Sequence, residues 1–223
     1  WFGGNPKPQL VVDCVESWRR WCPDLEVVEW GDHNFDFPDS VYVRHCRERA
    51  SWAHLSDLAQ AIVLRDHGGV YLDSDVELRA SLDPFLHHRA FSGFERPGYA
   101  FTAVWGAEAG HPWPTAAVEI LLDDGRRPST SETNTTWMTT LLQQRFGIEP
   151  GTDGFQLGTE GIAIYPSTTF CLPSPISASV HHFSGSWSSK RRREPYGEAL
   201  ADAAAAADHL RASAPRSLRD LAL

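Results

Sequence analysis

The chain lacks several features that would settle its class at once. No apolar run approaches the roughly 20 residues that a membrane-spanning helix requires. No secretory leader is visible, although the chain opens on Trp1-Phe2-Gly3-Gly4 without a methionine, so this absence excludes little. Positive charge is not in excess: 20 Lys and Arg stand against 29 Asp and Glu, a formal net charge of −9. Such a balance repels a phosphate-rich polymer, so nucleic acid is not an expected partner. The basic cluster Lys190 to Arg193 is short and reads as a solvated loop, or as a contact for an anionic substrate or membrane surface. Cysteine is scarce, and Cys14, Cys22, Cys46 and Cys171 form neither a Cys-x-x-Cys pair nor a zinc-type spacing. Free thiols in a reducing compartment fit better than a disulfide framework. The expected location is cytoplasmic, with peripheral membrane contact as the alternative.

What is present is an ordinary globular composition, 42% hydrophobic and 22% charged over 223 residues, which suits one domain with a substantial core. No internal repeat is visible. Leu10, Cys14 and Trp18 recur every four residues after Pro8 and predict an amphipathic helix ending near Trp21. Leu25 to Trp30 reads as a short strand, and Gly31 to Ser40 as a loop. Leu55, Leu58, Ala59, Ile62 and Val63 fall on one helical face, and the helix should stop at Gly68-Gly69. Val70-Tyr71-Leu72 then reads as a short, buried apolar strand. Ala90 to Phe94 and Ala100 to Trp105 read as strands, Thr115 to Leu122 and Thr135 to Phe146 as helices. Gly161 to Tyr165 and Ser177 to Phe183 read as extended, and Glu198 to Leu210 as an Ala-rich helix.

Four constellations can carry chemistry. Asp73 and Asp75 follow the predicted strand directly, at the end where open α/β sheets bind ligands. Two carboxylates one residue apart can share a hard divalent cation such as Mg²⁺ or Mn²⁺, whose remaining positions go to phosphate oxygens and water. Taken alone, the same pair is two solvated aspartates in a turn. Asp57 lies on the polar side of the preceding helix, either as an exposed acid or as an acceptor for sugar or ribose hydroxyls. His181 and His182 point to opposite faces if they lie in a strand, so one can be a third metal ligand while the other packs or faces solvent. Ser186 and Trp187 beyond them offer a hydroxyl and an indole N–H suited to phosphate. Finally, Trp1 and Phe2 before Gly3-Gly4 can stack a flat base, or can simply be core aromatics before a turn.

Taken together, these pieces resemble the DXD-containing glycosyltransferases of family 32. The resemblance rests on Trp1 to Pro8, Ser17 to Asp24, Ser56-Asp57, Gly68-Gly69-Val70-Tyr71-Leu72-Asp73-Ser74-Asp75-Val76, Ile164-Tyr165-Pro166, and His181 through Trp187, in the family's order. It implies a single GT-A domain over residues 1–223: a Rossmann-like, mostly parallel mixed sheet flanked by helices. Members carry a strand just before the Trp-Phe-Gly block, which we place outside the given sequence. The resemblance further implies a retaining transferase that uses Mn²⁺ or Mg²⁺. The donor is a nucleoside-diphosphate sugar, with a UDP-sugar favoured over GDP-mannose, and the acceptor is an unidentified hydroxyl. Carried over by position, Trp1, Phe2, Gly3, Asp57, Gln60, Tyr71, Asp73, Ser74, Ser186 and Trp187 bind the donor. Asp75, Asp73 and His181, or else His182, hold the metal. Asp73, Asp75 and Trp187 are the catalytic set. One departure stands out: the family usually has Arg where this chain has Gln60. That loss of a cation keeps a nucleotide-sugar-binding module or degenerate enzyme as the alternative. A haloacid-dehalogenase-type phosphatase is disfavoured, because Glu77 stands where that pattern wants Thr or Val.

Overall fold

The computed structural model describes residues 1–129 and 132–184. Three helices come first: α1 (Gln9–Trp21), α2 (Val41–Glu48) and α3 (Trp52–His67). Strands β1 (Gly69–Leu72), β2 (Val76–Leu78), β3 (Ala90–Arg96) and β4 (Tyr99–Ala107) follow. Helices α4 (Pro112–Leu121) and α5 (Asn134–Phe146) lead to β5 (Gln156–Leu157), β6 (Ile162–Tyr165), the short α6 (Ser167–Phe170) and β7 (Ser179–His181). The predicted Ala-rich helix and the Lys190 to Arg193 cluster lie outside the described residues.

The main sheet runs β1-β4-β3-β6-β5, and β2 and β7 form a separate two-stranded ribbon. The α/β class with flanking helices is as expected. The strand directions differ from a mostly parallel sheet: β3 and β6 are parallel, while β1–β4, β3–β4 and β5–β6 are antiparallel. The reason is local. Pro97-Gly98 joins β3 to β4 with Arg96 opposite Tyr99, and a two-residue connection leaves the chain no room to cross over. Gly98 adopts φ +88°, the left-handed backbone this turn requires.

Alternation along the strands divides the core in two. Ala90, Phe94, Trp105, Ile162 and Ile164 face α2 to α5 and meet Leu55, Leu58, Leu64, Trp113, Met138 and Leu142. Phe91, Phe101, Val104 and Ala163 face the other way and meet Val76, Leu78, Leu82 and Phe170. In β4 the register against β3 slips between Phe91 and Gly93, a bulge that swings residues 102–105 towards β1. Buried Ser92 serves the carbonyls of Phe101 and Val104 that the bulge leaves over.

Two local expectations need correction, and one helix had no counterpart in the sequence reading. Leu25 to Trp30 forms no strand; it runs as irregular chain past the N-terminal residues, where the Trp1 amino group bonds the Trp30 carbonyl. Helix α2 was not legible; the Ser40 hydroxyl caps it by accepting from the Val43 amide at 3.1 Å, and its apolar stripe is only Tyr42, Val43 and Cys46. Strand β1, expected to be buried, lies at the sheet edge with partly exposed side chains. All four cysteines are free and buried.

Candidate functional site

Helix α3 aims the site. It ends at Gly68, where φ is +69° and a Cβ would sit 2.6 Å from the Ala109 backbone nitrogen, so no other residue fits without a shift. The reversal sends β1 back along the helix, and Asp73 follows at its end. The Asp73 amide donates to the Ala103 carbonyl at 2.8 Å, and the Val76 amide donates to the Asp73 carbonyl at 2.9 Å. Ser74 and Asp75 therefore ride a tight turn tied to the bulged part of β4.

Ribbon strand β7 supplies the opposing wall. His181 lies opposite Val76, and its Nε2 stands 3.1 Å from Asp75 Oδ1 and 4.0 Å from Asp73 Oδ2. Ligand atoms of Asp73, Asp75 and His181 all lie within 4.8 Å of one another. Phe183 then takes φ +45°, an uncommon conformation for a bulky residue, and the turn brings the Ser184 amide to Asp75 Oδ2 at 2.8 Å. His182 points away and pairs with Glu77 at 2.9 Å. Strand alternation thus resolves the histidine pair: His181 belongs to the cluster and His182 does not. Ser186 and Trp187 lie outside the described residues.

A second cluster adjoins the first. Asp57 Oδ1 accepts from Gln60 Nε2 at 3.2 Å and from Asn134 Nδ2 at 2.8 Å. Asn134 also donates to Thr102 Oγ1 at 2.7 Å. Tyr71 donates its phenol proton to Asp73 Oδ1 at 2.9 Å, and Ser56 Oγ lies 3.1 Å from the Tyr71 oxygen. Gln60 is buried, and its carbonyl oxygen has no partner among the described residues.

These groups line one cavity of about 800 Å³. Trp1, Phe2, Asp57, Gln60, Tyr71, Asp73, Ser74, Asp75 and His181 all contribute to its wall. Phe2 also packs on Phe37 with ring centroids 5.2 Å apart, so it serves the core as well. Gly3 gives close approach instead: at φ +88°, a Cβ would meet the Trp52 ring at 2.8 Å. Trp52, Thr102, Asn134 and Ser184 were missed in the sequence. Their sequence signals were an aromatic at the start of the Asp57 helix, an Asn at the start of α5 and, for Ser184, its place in the His181 to Trp187 stretch, none distinctive.

Electrostatics sets the site apart. Burial, then the charge of Asp73, pushes the Asp57 carboxyl well above its ordinary range, against the Asn134 hydrogen bond. Asp73 is raised by burial and by Asp75, with His181 opposing. Asp75 is held low: burial works against it, but the His181 hydrogen bond and charge and the Ser184 amide prevail. His181 is raised for the mirror reason, since Asp75 and Asp73 outweigh its burial. Three acids and one imidazole at close range form a site that favours added positive charge.

Paired acids at a strand end, an imidazole and a third buried acid thus share the wall of one cavity. Residues 8–92 match the family model described as glycosyltransferase sugar-binding region containing DXD motif. That stretch takes in Asp57, Gln60, Asp73 and Asp75 but not Asn134 or His181. Inositol phosphoceramide mannosyltransferase 3 of Schizosaccharomyces pombe is 32% identical over 121 residues, 52% of this chain and 34% of the relative. The chain therefore spans about a third of that relative's length. No solved structure gives a significant match. Residues 8–92 are thus similar to the DXD-containing sugar-binding region of glycosyltransferases.

Proposed function

We propose that residues 1–223 form one catalytic domain that moves a sugar from a nucleoside-diphosphate sugar to an acceptor hydroxyl, with a divalent metal and with retention at the anomeric carbon. The observation that carries this reading is the convergence of Asp73, Asp75 and His181 within 4.8 Å beside Asp57, on the wall of a cavity large enough for a nucleotide sugar.

The donor set fits a hard divalent ion. Two carboxylates and an imidazole suit Mn²⁺ or Mg²⁺. Neighbouring groups orient them, since Tyr71 donates to Asp73 and the Ser184 amide donates to Asp75. Asp73, Asp75 and His181 would hold the ion, which would supply charge neutralisation for a diphosphate leaving group. The protein's own groups do the rest. Trp1 stacks on the base at the mouth. Asp57, held by Asn134 and Gln60, accepts from sugar or ribose hydroxyls. In front-face displacement the anomeric C–O bond to the diphosphate breaks, the acceptor oxygen bonds the same carbon on the same face, and the acceptor proton passes to the departing phosphate. Positioning and electrostatics then supply the rate without a dedicated base.

The sequence reading favours a UDP-sugar, while similarity to a mannosyltransferase supports testing GDP-mannose beside it. A thermal-shift comparison of UDP, GDP and their sugars with Mn²⁺ decides between them, because the bound donor raises stability by mass action. Asp75→Ala is expected to abolish metal-dependent release of UDP or GDP. Turnover at the wild-type rate by that variant would overturn the assignment.

A further inference from the structure

Strand β2 starts directly after Asp75 and, among the described residues, pairs with a strand along one edge alone. Glu77 faces Val180 of β7, and the amides of His182 and Arg79 bracket that pairing with bonds to Asp75 and from Arg79 to Ala178. Val76 and Leu78 present their backbone groups to the other edge, where no strand lies among the described residues. Side chains of α1 take the place of that strand. Trp18 Nε1 donates to the Val76 carbonyl at 2.7 Å. The Leu78 amide donates to Ser17 Oγ at 2.9 Å, whose own proton goes to the Cys14 carbonyl at 2.6 Å.

Neither side chain is part of the buried stripe of α1, which consists of Val11, Cys14 and Val15. Val76 and Leu78 are 0% and 1% exposed, so water cannot stand in for a lost partner without the strand moving. The turn that carries both aspartates is thus tied to β4 at its start, and to β7 and α1 at its end. Trp18 was read in the sequence as part of the apolar face of this helix and Ser17 only as part of a matching stretch; here both hold β2.

We propose that Ser17 and Trp18 are positioning residues for the Asp73–Asp75–His181 cluster. They hold β2 where Asp75 meets His181 and the Ser184 amide. The inference rests on the metal-site reading above, and its test separates the two.

The experiment compares Trp18→Phe, which keeps the ring and loses the N–H, with Ser17→Ala and Ser17→Thr, which lose and keep the hydroxyl. Leu121→Ala, in the core of α4 away from the cavity, controls for general destabilisation. Mn²⁺ affinity is measured by calorimetry with UDP present, and amide hydrogen exchange at Leu78, His182 and Ser184 is followed in metal-free protein. Trp18→Phe and Ser17→Ala are expected to weaken Mn²⁺ roughly tenfold or more and to speed exchange at all three amides. Ser17→Thr should stay near wild type, and Leu121→Ala should lower Tm while changing neither readout. Lowered Tm in Trp18→Phe with unchanged affinity and unchanged exchange at His182 and Ser184 overturns the positioning role. If the wild type binds no Mn²⁺, the metal reading fails, and exchange by itself decides the role of Ser17 and Trp18.

Discussion

At the residue scale the least conspicuous member of the site is Asn134. It gives two hydrogen bonds, to Asp57 at 2.8 Å and to Thr102 at 2.7 Å, and so joins α5 to α3 and β4 at the cavity wall. Asp57 has no Arg in the position of Gln60, and Asn134 is the shorter of its two side-chain bonds. Asn134→Ala is expected to weaken donor binding about tenfold, close to 1.4 kcal/mol, measured by calorimetry with Mn²⁺ and the preferred nucleotide sugar. Asn134→Asp should be worse, because a second carboxylate then faces Asp57. Equal affinity in all three proteins would show that Asp57 does not depend on this contact.

Gln60 is the other side chain that bonds Asp57. Its amide nitrogen donates to Asp57, and its buried carbonyl oxygen has no partner among the described residues. A neutral amide can hold Asp57 in place without the charge of Arg.

At the element scale the junction of α3 and β1 governs the site. Helix length and Gly68 together decide where Asp73 arrives. Gly68 has φ +69° and ψ −162°, a conformation essentially reserved for glycine, and backbone of residues 107–109 crowds its missing Cβ. Gly68→Ala should therefore cost about 1–3 kcal/mol. Tm should fall at roughly 2–4 °C per kcal/mol for a chain of this size. Gly69→Ala tests the other half of the pair: its φ is +98° but nothing lies within 4 Å of its Cβ. It should be the milder of the two by thermal denaturation; a larger loss than in Gly68→Ala would refute the crowding argument.

At the scale of the whole molecule, stability depends on groups far from the cavity. His111 is 1% exposed at the start of α4. Its Nδ1 accepts from the Trp113 amide at 3.1 Å, so Nε2 carries the proton and donates to the Glu160 carbonyl at 3.0 Å. Burial, the largest effect, lowers its pKa despite the Glu160 carbonyl. The unfolded chain then binds a proton that the folded chain refuses, between the depressed folded pKa and the ordinary value of about 6.5. Stability is thus full above about pH 6.5 and falls as pH drops through that window, by at most about 1.4 kcal/mol per unit from this group. His111→Asn removes the titration, and denaturant unfolding from pH 7.5 to 5 should show a shallower decline than in wild type. Parallel curves would mean that His111 does not contribute.

How far the sequence reached can be judged from particular elements. Helix α3 and the strand after it were legible because their apolar spacing and Gly-Gly stop are local. Free cysteines were legible from spacing alone. The pairing of Asp57, Asp73 and Asp75 was legible as a family pattern, since all three lie within one continuous stretch. Helix α2 was not legible, because eight residues with a three-member apolar stripe are too short for a period to show. Sheet direction was not legible, because β4 pairs with β1 and β3 across the fold and the resemblance implies a mostly parallel sheet.

By itself the sequence determined the helix-to-aspartate unit, the kind of ligand atoms present and the residues that match the DXD region. These follow from spacings of a few residues, where chain geometry leaves few choices. Tertiary structure decided that His181 rather than His182 meets Asp75, that Asn134 reaches Asp57, and that Ser17 and Trp18 hold β2 from its open edge. Those contacts join positions 58 to 106 residues apart. No local rule reaches that far; only the packing of α1, α5 and β7 around the same cavity brings them within hydrogen-bond distance.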